Sequence, residues 1–116
     1  MTRRGVVNKT NVPKYNWGAH CESWVLCGLQ GLSVKQEKMP VGAKEQLHYH
    51  EEATQFFFVL KGVATFYVED EMILLKEQEG LTIEKEAKHF VLNESNEPIE
   101  FLVISQPDTT NDRINV

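Results

Sequence analysis

The run Gln55-Phe-Phe-Phe-Val-Leu60 constrains the fold of this chain more than any other stretch, because it does not alternate apolar with polar. Aromatic and branched side chains of this kind suit an extended strand. A strand with one wet face alternates, so a strand that does not must be covered on both faces. Left at an exposed edge, such a segment would pair with other chains and aggregate. A closed barrel answers the requirement. One face of the strand lines the interior, and a neighbouring sheet or a second subunit covers the other.

The rest of the chain agrees. No window of helical period stands out, and from Cys21 onward short extended stretches alternate with turn residues. Candidate strands are 23–28, 32–39, 46–50, 54–61, 63–69, 72–76, 81–84, 88–93 and 99–105. The breaks carry turn chemistry at Gly28, Gly31, Pro40–Gly42, Lys61–Gly62, Glu69–Glu71, Gly80 and Asn93–Pro98. Many short strands with no helices between them predict an all-β sandwich or closed barrel. With 116 residues there is material for one domain. Residues 1–20 are expected to form an N-terminal arm or first strand, 21–106 the barrel, and 107–116 a polar C-terminal tail across the surface. A core this small leaves little stability to spare, and pairing with a second copy would relieve that.

Charge narrows the partners. Twelve Lys and Arg face seventeen Asp and Glu, a formal charge of −5. Such a surface repels phosphate backbones and anionic lipid, so neither nucleic acid nor a membrane is an expected partner. The N-terminal stretch lacks the apolar segment of a signal peptide, and the longest apolar run, Phe56 to Leu60, is far too short to span a bilayer. A cytoplasmic location follows as the default. Cys21 and Cys27, the only cysteines, are not spaced as a redox pair and are expected to be reduced thiols in a partly buried strand. His20 beside Cys21 is expected on the opposite face of that strand, which rules the two out as a nucleophile–base pair.

Two of the four histidines stand as His48-Tyr49-His50, and residues two apart on a strand point the same way. Gln55 follows a short polar turn and is placed to reach the same space, while His89 arrives from a later strand. Imidazole suits zinc, copper, iron, nickel and manganese. Gln46 has the parity of the paired histidines. Phe57 shares the facing of Gln55, and Val91 that of His89, so all three are expected to line a pocket. Glu51 and Glu52, in the loop beside His50, are candidates for a general base, although loop glutamates are usually just solvated. Trp17 and Trp24 read as core or dimer contacts, with a second possibility of stacking on a sugar. Asn93 either orients His89 or closes a turn. No nucleophile elbow, P-loop or dinucleotide glycine pattern is present.

The spacing Gly42, five residues, His48-x-His50, four residues, Gln55, six residues, Gly62 resembles the first signature of the cupin superfamily, with Gln where Glu is usual. The segment Ile83-Glu-Lys-Glu-Ala-Lys-His89-x-x-x-Asn93 resembles the second signature. The prolines and glycine of that second motif are replaced by Glu84, Lys85 and Glu86, and its opening glycine is displaced to Gly80, so the loop before His89 departs from the pattern. The resemblance spans roughly residues 32–105. It implies a jelly-roll barrel (the double-stranded β-helix), often a homodimer, with a divalent metal ion (Zn, Ni, Mn, Fe or Cu) near one mouth. The implied ligands are His48, His50, Gln55 and His89. A neutral amide in place of a carboxylate leaves the metal its full charge, which favours Lewis acidity at some cost in affinity.

Three histidines with one glutamine also resemble the site of small cupins that open or tautomerise unsaturated uronic sugars. The expected activity is that of an isomerase, tautomerase or lyase on a sugar-like or hydroxy-carbonyl compound, since four protein ligands on an octahedral ion leave two positions for such a molecule. With a redox metal the same openings would serve a dioxygenase. The third reading is a module that binds a small ligand without turnover.

Overall fold

The computed structural model describes residues 3–116. Every regular element among them is a β-strand: β1 (Lys14–Trp17), β2 (Cys21–Gly28), β3 (Ser33–Met39), β4 (His48–Tyr49), β5 (Thr54–Lys61), β6 (Ala64–Val68), β7 (Glu71–Leu75), β8 (Gly80–Ile83), β9 (His89–Leu92), β10 (Ile99–Gln106) and β11 (Ile114–Asn115). They form a six-stranded sheet in the order β1-β2-β3-β10-β5-β8 and a five-stranded sheet in the order β11-β4-β9-β6-β7. Neighbours in both sheets run antiparallel. The all-β jelly-roll expectation holds. No helix among the described residues is long and apolar enough to cross a membrane.

The period-two rule sorts the central strands. On β10, Ile99, Phe101, Val103 and Ser105 are buried, while Glu100, Leu102, Ile104 and Gln106 face away. On β5, Gln55, Phe57 and Val59 are buried. The rings of Phe57, Phe66 and Phe101 meet tilted or edge-on, with centroids 5.0–6.4 Å apart, and Met39, Ile83, Val91 and Ile99 complete the packing between the sheets. Removing Phe101, which is fully buried, would cost about 3–5 kcal/mol.

The outer face of β5 resolves the missing alternation. Phe56 pairs with Ile104 and Phe58 with Leu102 on β10, giving an apolar strip on the outside of the larger sheet. The Phe56 ring also lies against Gly80, where an added Cβ would fall 2.5 Å from its Cζ. This packing explains a glycine at that position on β8. Gly62, at the turn between β5 and β6, has φ +84°, and a Cβ there would meet Ile99 at 2.8 Å.

Two strands lie in the stretches expected to be an N-terminal arm or first strand and a polar tail. β1 forms a hairpin with β2, from Lys14 opposite Trp24 to Trp17 opposite Cys21, and His20 sits in the intervening turn at φ +65°. β11 pairs with β4, Ile114 opposite Tyr49 and Asn115 opposite His48. A first strand is one of the two expectations for residues 1–20, whereas strand patterning misses β11 because that segment is polar and only two residues long. Cys21 is buried and Cys27 half-buried, and both are free thiols. Burial pushes the Cys21 thiol up to about 11, which makes it inert.

Candidate metal centre and its cavity

His48 on β4 is the direct register partner of His89 on β9, which puts both imidazoles on the inner face of the smaller sheet. His50 follows two residues later, just past the end of β4, and keeps the same facing. Gln55 enters from the opposite sheet, on β5. The ring centroids of His48 and His89 are 4.3 Å apart, those of His48 and His50 5.0 Å, and those of His50 and His89 5.7 Å. One nitrogen from each of the three lies within 4.8 Å of the others, close enough to bind a single ion.

The ring tautomers follow from their partners. Nδ1 of His48 faces the carbonyl of Gln46 at 2.8 Å, Nδ1 of His50 that of Asp112 at 2.7 Å, and Nδ1 of His89 that of Ala87 at 2.9 Å. A carbonyl only accepts, so each Nδ1 carries the hydrogen and each Nε2 keeps a free lone pair. Nε2 of His50 and of His89 are buried with no hydrogen-bond partner. The same holds for Gln55 Oε1, whose amide donates through Nε2 to Ser105 Oγ at 3.1 Å. Unpaired buried acceptors are costly, and a cluster of them needs an explanation. Backbone-fixed imidazoles with converging lone pairs are the arrangement that orients histidine for a metal. Burial holds His48 down to about 3 and His89 to about 4, and also lowers His50, so all three are neutral near pH 7 and able to ligate.

Beside the cluster opens a cavity of about 400 Å3. Its wall includes His48, His50, Gln55 and the expected Gln46 and Phe57. Val91 shares the facing of His89 and is packed in the core opposite Phe66; neither of the two is part of the cavity wall. Glu51 and Glu52 are exposed and face a separate cleft of about 240 Å3 with Asn111 and Asp112. They are not positioned as bases for this cavity.

Two other carboxylates do stand on the cavity wall. Glu45 Oε2 lies 3.9 Å from His48 Nε2 and 3.1 Å from the Arg113 guanidinium. Burial pushes its carboxyl up to about 7, against the opposing pull of Arg113. Glu37 on β3 also lines the cavity and is pushed up to about 6 by burial. Tyr15, Trp17, Lys35 and Arg113 contribute to the same wall. Parity could not find Glu45, because residues 45–47 lie outside the strands and Glu45 is three residues from His48. Nothing in the sequence marked Arg113, which is brought in by the tail.

The loop before His89 is a tight turn without the usual prolines. Glu86 takes φ +70°, its N–H donates to the His50 carbonyl at 2.6 Å, and Ala87 N–H donates to Glu84 O at 3.2 Å. Asn93 closes a turn: its Nδ2 donates to Met39 O and Glu97 O, and its Oδ1 accepts from Ser95. Trp24 is buried with the ammonium of Lys9 4.3 Å over its ring, whereas Trp17 reaches the cavity.

Residues 35–105 match the family model of the cupin domain. The chain belongs to the cupin family. Among curated proteins this cupin is similar to uncharacterized protein MJ1618 of Methanocaldococcus jannaschii, 27% identical over 75 residues, a match that covers 65% of this chain and 60% of that relative. A solved structure of a predicted oxalate decarboxylase from Thermotoga maritima superposes with a TM-score of 0.81 at 18% identity, covering 89% of this chain and 99% of the other. An RmlC-like cupin from Shewanella frigidimarina gives a TM-score of 0.81 at 13% identity, covering 90% and 92%. At these identities the likeness is one of fold.

Proposed function

We propose that this cupin is a metal-dependent enzyme for a small polar molecule, an isomerase, tautomerase or lyase acting on a sugar-like or hydroxy-carbonyl compound. The observation that carries the reading is the set of buried, unpartnered acceptors, Nε2 of His50 and His89 and Oε1 of Gln55, beside an open cavity. With Nε2 of His48 they are the donor set a divalent ion needs, so the residues fit the group. A divalent ion held there supplies Lewis acidity toward a carbonyl or a bound water.

The chain's own residues would do the rest. A cavity of about 400 Å3 suits a molecule of monosaccharide size. Glu45, fixed by Arg113 beside His48, is placed to take a proton from a carbon next to the carbonyl and return it elsewhere. Glu37 is the second carboxylate on the wall. Trp17 and Tyr15 offer apolar faces to a sugar ring, and Lys35 and Arg113 offer donors to its oxygens. Free thiols and an acidic surface suit a cytoplasmic setting. The outer strip of Phe56, Phe58, Leu102 and Ile104 suits a homodimer in which a second copy covers it.

The test is solvent exchange. Protein loaded with Zn2+, Ni2+ or Mn2+ is incubated in D2O with hydroxy-carbonyl sugars and uronic acids, and the carbon-bound hydrogen next to the carbonyl is followed by NMR. The expected result is exchange or conversion that falls by about 100-fold or more in Glu45→Gln while metal content stays. Binding without exchange under every metal would make the protein a ligand-binding module. Oxygen uptake confined to Fe- or Cu-loaded protein would make it a dioxygenase.

A further inference from the structure

His50 is the least supported of the three histidines in its own sheet. β4 ends at Tyr49, and its pairing with β9 is limited to His48 opposite His89. What fixes His50 comes from 62 residues further along the chain. The Asp112 carbonyl accepts the Nδ1–H of His50 at 2.7 Å. The Asp112 carboxylate accepts the backbone N–H groups of the loop that follows, Glu51 at 2.8 Å, Glu52 at 3.2 Å and Ala53 at 3.0 Å. One residue therefore grips both the ring and the loop that carries it. Those three N–H groups hold the Asp112 carboxyl below its usual range.

The surrounding segment is tied down on both sides of Asp112. Asp112 N–H donates to Thr109 O at 3.0 Å, β11 pairs with β4, and Val116 N–H donates to Leu47 O at 3.1 Å. Arg113, the next residue, donates through Nη1 to Glu45 at 3.1 Å and through Nε to Asn115 at 2.9 Å. The segment thus reaches both His50 and the carboxylate beside His48.

From this geometry we infer that residues 109–116 are a strap belonging to the metal centre, and that Asp112 is a positioning residue that sets the orientation and tautomer of His50. The inference rests on the metal-binding reading, but part of it is independent of any metal, because the tautomer exists in metal-free protein. An outer partner of a metal-binding histidine is typically worth about 10- to 100-fold in affinity. Asp112 is expected to act in that range through the loop it holds.

The test compares wild type, Asp112→Ala, Asp112→Asn and the control Asp108→Ala by Co2+ affinity in chelator competition and by 15N-resolved NMR of the imidazoles without metal. The wild type should show Nδ1-protonated His50. Asp112→Ala keeps the backbone carbonyl but releases the 51–53 loop from the carboxylate, so the His50 ring should drift from that carbonyl, giving a mixture of tautomers and about 10- to 100-fold weaker Co2+ binding, with His48 and His89 unchanged. Asp112→Asn keeps one acceptor oxygen and nearly the same shape, so it should fold and fall between the two. Asp108→Ala should match the wild type. Wild-type affinity together with an unchanged His50 tautomer in both Asp112 variants would overturn the inference. If no variant and no wild type bound Co2+, the metal-binding reading would fail, and the His50 tautomer would still decide whether Asp112 positions that ring.

Discussion

The Gln55 amide donates to the Ser105 hydroxyl, its register partner across β5 and β10, at 3.1 Å. That bond decides which end of the amide is left over. Nε2 is engaged on the sheet, and Oε1 is buried without a partner. The amide oxygen is thereby preset as an acceptor, but it brings no charge. Gln55→Glu should add the missing negative charge and tighten divalent metal binding by about tenfold or more, or ~1.4 kcal/mol, measured by chelator competition. Weaker binding in that variant would contradict the electrostatic account.

Acid should destabilise the metal-free protein, and most steeply below about pH 4.5. His48 and His89 are held at about 3 and about 4, and His50 is lowered as well. An unfolded chain takes up these protons near pH 6.5. The unfolded state therefore binds more protons as pH falls from about 6.5, and folding stability drops. Glu37 and Glu45, raised to about 6 and about 7, act in the opposite direction by holding protons that the unfolded chain has released. That opposition ends below about pH 4.5, where these carboxyls are protonated in both states. Urea unfolding at about pH 7, 5.5 and 4 should show the larger loss in the lower interval, on the order of a few kcal/mol. Constant or rising stability on acidification would refute this balance.

The apolar strip outside the larger sheet makes a prediction about assembly. Phe56 is 37% exposed in the single chain and stacks with Phe58, their centroids 6.3 Å apart. If a second copy covers the strip, Ile104→Glu should convert a dimer to a monomer in light scattering without unfolding the barrel. A wild-type mass of one chain would exclude the dimer.

Asn93 separates stability from metal binding. It is 1% exposed, and its amide satisfies the carbonyls of Met39 and Glu97 while accepting from Ser95. Asn93→Ala would leave buried backbone groups unpaired and should cost about 1–3 kcal/mol in denaturant unfolding. Metal affinity at saturating folded fraction should not change. A change there would show that Asn93 acts on His89 after all.

The parts of the site near regular strands were legible in the sequence, because period two gives His48 and His50 one facing and Phe57 that of Gln55, while the resemblance to the cupin signatures added Gln55 and His89. The non-alternating run at Phe56–Leu60 likewise announced two covered faces, of which the structure shows one packed inside and one apolar outside. What escaped was everything that depends on irregular backbone or on chain ends. Glu45 lies just before a two-residue strand, where parity carries no information. Asp112 and Arg113 belong to a polar tail whose composition resembles any solvated segment, and only the fold brings them back across the mouth of the barrel. Val91 shows the limit of parity itself. Facing is periodic, but depth is not: Val91 lies in the core opposite Phe66 and is absent from the cavity wall, although it shares the facing of His89.

Elemental analysis of untagged protein, with His48→Ala and His89→Ala beside it, decides whether these histidines hold a metal. The wild type should hold one divalent ion per chain and either variant none, with far-UV circular dichroism and cooperative melting retained in all three. Equal metal content in wild type and variants, or none in any of them after reloading, would contradict a metal centre at these histidines.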